Sequence, residues 1–208
     1  MKIGQKSLLI GAHQFIIHPT MLAIAWTKLY GFPWDFRLWV SFIIHDWGYW
    51  NCSDMDGAEG KQHPYLGANI MHFLFDRYES VEHVNCFLDG CIAHVDARAN
   101  WDRWSLCSMG CCVHRMERST HWLDFTLFHS RTIAKWCGVP HSRLCVADKY
   151  VFCIEPWWLY LPRVVLSGEI HEYLEEARKG LGKDYTGNLR LWHKDVRAHL
   201  LNWVMENR

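Results

Sequence analysis

The segment Phe42-Ile43-Ile44-His45-Asp46-Trp47-Gly48-Tyr49-Trp50 says most about how this chain folds. An apolar run in a helical pattern leads into His45 and Asp46, and a capping aspartate, Asp35, precedes that run. Gly48 stands where the left-handed residue that closes a helix is expected, so His45 and Asp46 fall in the last turn and lean toward the packed side. A buried acid beside an imidazole needs a compensating partner, and a metal ion is the usual one.

The composition predicts a single domain without the overall positive charge that binds a polyanion. Half of the 208 residues are apolar, which is enough for one sizeable core. The 22 basic residues balance the 22 acidic ones, which disfavours duplex nucleic acid as a partner and leaves a small, locally recognised anion as a candidate ligand. No apolar stretch reaches transmembrane length, and residues 7 to 17 are unlike a signal peptide, so we expect a cytoplasmic protein with nine reduced cysteines.

Helical patterns recur along the first part of the chain, whereas strand patterns are weak, which predicts an all-α fold. One helix is expected to follow His18-Pro19 and to stop at Gly31. Another is expected to start at His63-Pro64 and to carry the apolar residues Leu66, Ile70, Phe73 and Leu74.

Three further helices are predicted in the second half. The first covers residues 122 to 136, carries His129 on its buried face and ends before Gly138. The next begins after Ser142 and places Asp148 among apolar residues, and the last runs from Asn188 with an ordinary apolar stripe. Residues 79 to 120 are only loosely helical in pattern.

The polar residues on the inward faces of these helices are all imidazoles or carboxylates. They are His18, His45, Asp46, His63, His129 and Asp148. Such donors suit Mn, Fe, Co, Ni or Zn better than Mg, and a carboxylate such as Asp46 can bridge two ions, so we predict one or two divalent transition-metal ions. Two positions stay open, because His13 competes with His18 as the early ligand and His94 competes with His129.

The order of these residues resembles the HD-domain metal-dependent phosphohydrolase superfamily, whose signature is an early histidine, a His-Asp doublet at a helix end and a late aspartate. The matches are His18, the doublet His45-Asp46 and Asp148 within Cys-Val-Ala-Asp-Lys-Tyr, and they span about residues 13 to 155. His63-Pro64-Tyr65-Leu66-Gly67-Ala68 resembles an element of the branch that cleaves cyclic dinucleotides. A Gly-Tyr-Pro loop of that branch is absent, so only the metal site is carried over.

The resemblance implies a single HD-type helical bundle over residues 1 to 208, with helices of residues 156 to 208 packed on the signature core. It also implies a phosphohydrolase in which a metal-activated water attacks a small phosphate ester or a nucleotide. Asp46 would hold both ions, and Lys149 and Arg131 are candidates for binding substrate phosphate, although an ordinary surface charge is an equal alternative for these two. The competing functions are a di-iron oxygenase on the same scaffold and a non-catalytic nucleotide-binding module.

Two further clusters allow more than one interpretation. Cys107, Cys111, Cys112 and His114 could bind a structural zinc ion, but paired CxxC knuckles are missing and reduced thiols are favoured. The aromatic run of residues 153 to 162 could line a base-binding pocket, mediate self-association into a homo-oligomer or lie on a membrane surface. Core packing between helices is the favoured interpretation of this run.

Overall fold

The computed structural model describes residues 1–55, 57–76 and 122–208, and within these ranges every regular element is a helix, as predicted. The elements are α1 (Ile3–Ile10), α2 (Ile17–Tyr30), α3 (Phe36–Ile44), a 3-10 helix (Trp47–Asn51), α4 (Ala58–Lys61), α5 (Pro64–Phe75), α6 (Trp122–Leu127), α7 (Arg131–Trp136), α8 (Arg143–Ile154), α9 (Trp157–Ser167), α10 (Ile170–Leu181) and α11 (Leu189–Asn207). None of them is long and apolar enough to cross a lipid bilayer. The middle segment of residues 79 to 120, His94 and the four candidate zinc ligands lie outside the described residues.

The core that supports the predicted ligands is formed by α2, α3 and α8. Leu22, Phe42 and Leu144, one from each helix, are fully buried in one apolar cluster, and Trp26 packs against Phe42 at the same place. Burial of a large apolar side chain stabilises the fold by roughly 1.5–3 kcal/mol, so this cluster fixes the three helices relative to one another. The segments that carry His18, His45 and Asp148 are thereby held in fixed relative positions.

A second apolar cluster joins the C-terminal helices to the first part of the chain. Tyr160 and Val164 of α9, Ile170 of α10 and Trp192 of α11 are buried together. Helix α11 also contacts α8, and α9 contacts α1, which in turn packs against the 3-10 helix. Part of the aromatic run of residues 153 to 162 therefore packs in the core, which is the favoured interpretation. Trp158 of the same run is 61% exposed.

The predicted start of α3, capped by Asp35, is confirmed, whereas its predicted end, closed by a left-handed Gly48, is wrong. The Asp35 side chain accepts a hydrogen bond from the backbone N–H of Arg37, as a capping residue does. The helix ends at Ile44, with His45 as its C-cap. Gly48 is not left-handed but lies in the 3-10 helix, where a Cβ atom would come within 2.0 Å of the carbonyl oxygen of His63. Close packing of two backbones, rather than a turn, requires this glycine.

Helix α5 begins at Pro64 as predicted, but most of the apolar residues that it carries do not form its buried face. Leu66, Phe73 and Leu74 are 46%, 76% and 50% exposed. The buried face instead consists of Gly67, Ala68 and Met71. Small residues face inward because α5 lies against the end of α3, where a Cβ atom on Gly67 would be 2.6 Å from the carbonyl oxygen of Ile44.

The predicted helix over residues 122 to 136 is two helices, α6 and α7. The helical conformation is interrupted at residues 128 to 130. The Ser130 side chain then accepts a hydrogen bond from the backbone N–H of Ile133 and caps the start of α7. Gly138, with φ +66°, follows the end of α7 as predicted. The break places His129 at a helix end rather than on a helix face, and its side chain is buried.

Candidate metal centre

Side chains from five separate segments converge on one point of the fold. His18 lies in the first turn of α2, His45 and Asp46 follow α3, and His63 directly precedes α5. His129 lies in the break between α6 and α7, and Asp148 lies within α8. All six residues that the sequence predicts as metal ligands are thus brought together.

The first group of potential ligands consists of His18, His45, Asp46 and Asp148. Nε2 of His18 lies 3.3 Å from Oδ2 of Asp46 and 3.2 Å from Oδ1 of Asp148. Nε2 of His45 lies 3.0 Å from the same Oδ2 of Asp46 and 4.0 Å from Oδ1 of Asp148. One donor atom of each residue lies within 4.8 Å of the others, a separation that one cation can span.

The second group consists of His63 and His129, together with the other oxygen of Asp46. Nε2 of each histidine lies 3.5 Å from Oδ1 of Asp46, and the two Nε2 atoms are 3.1 Å apart. The two carboxylate oxygens of Asp46 therefore face two different sets of donors. This is the arrangement expected of a carboxylate that bridges two ions.

The orientation of three imidazole rings is fixed by backbone carbonyl groups three residues earlier. Nδ1 of His45 contacts the carbonyl oxygen of Phe42 at 3.1 Å, Nδ1 of His63 contacts that of Gly60 at 2.6 Å, and Nδ1 of His129 contacts that of Thr126 at 2.5 Å. A carbonyl oxygen only accepts hydrogen bonds, so Nδ1 carries the proton in each ring. In the neutral form of each ring, Nε2 then presents a lone pair to the centre of the site.

Two of these Nε2 atoms face each other in the second group. Burial lowers the pKa of His45, and burial together with His129 holds the pKa of His63 well below its ordinary value, so the His45 and His63 rings are neutral. The lone pair on Nε2 of His63 therefore points at Nε2 of His129, 3.1 Å away. Oδ2 of Asp46 is also buried and has no hydrogen-bond partner. A cation between these atoms would be coordinated by the His63 lone pair and the buried Asp46 oxygen, so the residues fit a metal site.

Both aspartates of the site are ionised despite their burial. Burial would raise the pKa of Asp46, but the neighbouring His45 helps to hold it well below its ordinary value. Burial would also raise the pKa of Asp148, but Lys149 and His18 hold that pKa well below its ordinary value. Burial lowers the pKa of His18, but the neighbouring carboxylates of Asp148 and Asp46 outweigh this effect and raise the pKa to about 10. Without metal, His18 of the first ligand group is thus protonated, and a metal ion that binds there must displace this proton.

His13 is not part of either ligand group but touches the site from its outer side. Nε2 of His13 lies 3.9 Å from Oδ2 of Asp46, and Nδ1 lies 2.8 Å from Oγ of Ser7 and 3.4 Å from Oε1 of Glu169. Of the two early histidines, His18 therefore lies in the ligand set and His13 supports it. Glu169 was missed by sequence reasoning, because a lone glutamate before a helix looks like an ordinary surface acid.

Two cavities open beside the ligands. The larger has a volume of about 760 Å³ and is bordered by Asp46, His63 and His129. Lys149 and Arg131, the cations predicted to bind phosphate, both line it. Nζ of Lys149 is paired with Oδ2 of Asp148 at 2.8 Å, and the guanidinium of Arg131 lies over the ring of Trp203, 4.7 Å from its centre.

Comparison of the chain with family models, with curated proteins and with solved structures gives no match in any of the three. The resemblance to HD-domain phosphohydrolases therefore stays a prediction. The chemistry of the site has to be argued from its own residues.

Proposed function

We propose that this protein is a metal-dependent phosphohydrolase that cleaves a small phosphate ester at a site of two divalent transition-metal ions. The proposal depends on one observation above all, that the two oxygens of Asp46 face two separate sets of donors. His18, His45 and Asp148 would hold one ion with Asp46, and His63 and His129 would hold the other. Bound there, the ions supply a water that is deprotonated near neutral pH and offset the charge of the phosphoryl oxygens.

The cations of the larger cavity support phosphate as the group that reacts. Lys61, Arg131, Lys135 and Lys149 all line this cavity, beside His63 and His129. Arg131 would present two N–H groups to a phosphate, and its stacking on Trp203 limits the number of orientations it adopts. Lys149 would contribute a point charge next to Asp148. Oxygen activation needs no such set of cations, which favours hydrolysis over the oxygenase alternative.

Buried residues of the chain also exclude water from the side of the site that faces the core. His45 is 1% exposed and His129 is 3% exposed, so water reaches the ligands only from the cavities. A low-dielectric surrounding strengthens each interaction between a cationic side chain and a phosphoryl oxygen. We expect the neutral alcohol of the ester to leave through the smaller cavity, which Lys61, Arg131 and Lys135 do not line.

The test is release of inorganic phosphate from a panel of phosphate monoesters and diesters by protein that has been stripped with a chelator and reloaded with Mn²⁺. Asp46→Asn should abolish release, and His171→Ala, which removes an exposed histidine outside the site, should leave it unchanged. Bound iron with oxygen uptake and no phosphate release would identify an oxygenase instead. Nucleotide binding by a protein that retains no metal would identify a binding module.

A further inference from the structure

We propose that the smaller cavity beside the metal ligands holds the organic group of the substrate, and that this group is an uncharged, mainly apolar ring system rather than a nucleobase or a second phosphate. This inference rests on the proposed function and narrows its substrate class to phosphomonoesters of ring-bearing apolar alcohols. The cavity has a volume of about 480 Å³. Cavities that bind small organic molecules span roughly 300–1,000 Å³, so one or two rings fit.

The two cavities meet at the ligands. His13, Asp148 and Lys149 line both of them, as do Tyr49 and Met55. His18 lines only the smaller cavity, whereas Asp46, His63 and His129 line only the larger one. A molecule whose phosphate lies over the ligands in the larger cavity can therefore extend its organic group past Asp148 into the smaller one.

The two cavities differ in the cations that they offer to a ligand. The larger cavity has Lys61, Arg131 and Lys135 on its walls. Within the described part of the chain, the smaller cavity has Lys149 as its only lysine or arginine, and that side chain is paired with Asp148. Glu155 lines only the smaller cavity and is paired with Arg163, whereas Glu176 lines both cavities. A second phosphate placed in the smaller cavity would find no unpaired lysine or arginine on its described walls, so an anionic group is disfavoured there.

Aromatic rings from four different helices form the apolar wall of the smaller cavity. They are Phe152 of α8, Tyr160 of α9, Tyr173 of α10 and Trp192 of α11. The rings of Tyr173 and Trp192 are nearly parallel, with centres 6.3 Å apart, and Phe152 meets Tyr160 edge-on at 4.9 Å. Because each ring is held by its neighbours, the wall is formed before a ligand arrives and binding needs little ordering of side chains.

Few polar groups of this wall remain available for hydrogen bonds to a ligand. The Glu155 carboxylate is paired with Arg163, and the Tyr173 hydroxyl donates to Glu169 at 3.1 Å. Nε1 of Trp192 is buried and has no hydrogen-bond partner, so it could donate to one acceptor of a ligand. A nucleobase exposes several donors and acceptors that such walls would leave unpaired, and each unpaired group weakens binding. An apolar ring has no such cost.

The test compares binding of phosphonates, whose carbon–phosphorus bond a phosphohydrolase does not cleave, to Mn²⁺-loaded protein by titration calorimetry. 1-Naphthylmethylphosphonate should bind at least about tenfold more tightly than methylphosphonate, because its rings leave water. A nucleoside 5′-phosphonate should bind more weakly than the naphthyl compound. Val196→Trp and, separately, Leu200→Trp fill the smaller cavity and should remove the naphthyl preference while methylphosphonate affinity and Mn²⁺ content stay unchanged. Val165→Trp, at an exposed position of α9, is the control and should keep the preference.

The outcomes separate this inference from the proposed function. Equal affinity for the two simple phosphonates, tighter binding of the nucleoside compound, or a naphthyl preference that survives both filling variants overturns the assignment of the cavity and leaves the phosphohydrolase proposal standing. Failure of every phosphonate to bind metal-loaded protein overturns the phosphohydrolase proposal itself, and the cavity assignment with it. Unchanged methylphosphonate binding in the filled variants shows that they are folded.

Discussion

Oε1 of Glu169 lies 3.4 Å from Nδ1 of His13, although the two residues belong to opposite ends of the chain. Glu169 is fully buried, and its carboxylate accepts hydrogen bonds from the hydroxyl of Ser7 at 2.5 Å and the backbone N–H of Ala12 at 2.9 Å. His13 in turn lies 3.9 Å from Asp46. The start of α10 is thus linked through one imidazole to the carboxylate at the centre of the metal site.

Replacement of Glu169 should destabilise the whole fold. Glu169→Ala leaves several buried donors without an acceptor, so we expect the free energy of unfolding to fall by about 3–5 kcal/mol in urea titrations. Glu175→Ala, in an exposed ion pair with Lys179, should cost less than about 1 kcal/mol. A loss of similar size in the two variants would show that the buried carboxylate is not a structural anchor.

Because there are two ligand groups, different substitutions should remove different numbers of bound metal ions. Asp46→Ala should lose all bound transition metal, because both groups share that residue, whereas His129→Ala should keep the ion of the first group. Elemental analysis of each variant beside wild type measures this directly, with His171→Ala as the control. Equal metal content in Asp46→Ala and wild type would place the site elsewhere.

Gly67 controls the distance between α5 and the end of α3. A Cβ atom at this position would lie 2.6 Å from the carbonyl oxygen of Ile44 and 2.9 Å from Cα of His45. Gly67→Ala should therefore push α5 and His63 away from Asp46, with loss of the second ion and destabilisation of about 1–3 kcal/mol. Gly180→Ala in α10 meets no atom within 4 Å and should instead raise stability by about 0.5–1 kcal/mol. Retention of full metal content in Gly67→Ala would contradict this role.

The metal-free protein should become less stable as the pH rises above neutrality. The pKa of His18 is raised from 6.5 in the unfolded chain to about 10 in the fold, so its contribution is complete below pH 6.5 and is lost as the pH approaches 10. Urea unfolding in the presence of a chelator should show a loss of about 4 kcal/mol between these limits. His18→Gln removes the group, and the same pH slope in that variant would contradict the assignment.

Metal binding should show the opposite trend over this range, since an ion must displace the His18 proton. The apparent Mn²⁺ affinity of wild type should rise between pH 7 and pH 9, up to about tenfold per pH unit where no other ligand proton is displaced. Calorimetric titrations at several pH values measure this. An affinity that does not change with pH would show that His18 is unprotonated in the metal-free fold.

The helical class, the chemical nature of the ligands and several helix ends follow from the amino-acid sequence without knowledge of the fold. Asp35, Pro64 and Gly138 act through the few residues around them, so capping and breaking signals can be recognised without knowledge of the fold. His45, Asp46 and Asp148 were recognisable because a polar group within an apolar pattern conflicts with its own surroundings.

The assembled fold, in contrast, sets which backbones approach each other and which polar groups meet. Gly48 and Gly67 are small because His63 and the end of α3 pack against them, and residues 128 to 130 break a helical pattern so that His129 faces His63. Glu169 reaches His13 only because α9 packs on α1. Contacts between distant segments leave no periodic signal in the local sequence, so the shared role of Asp46 and the shape of the two cavities emerge only when the helices are assembled.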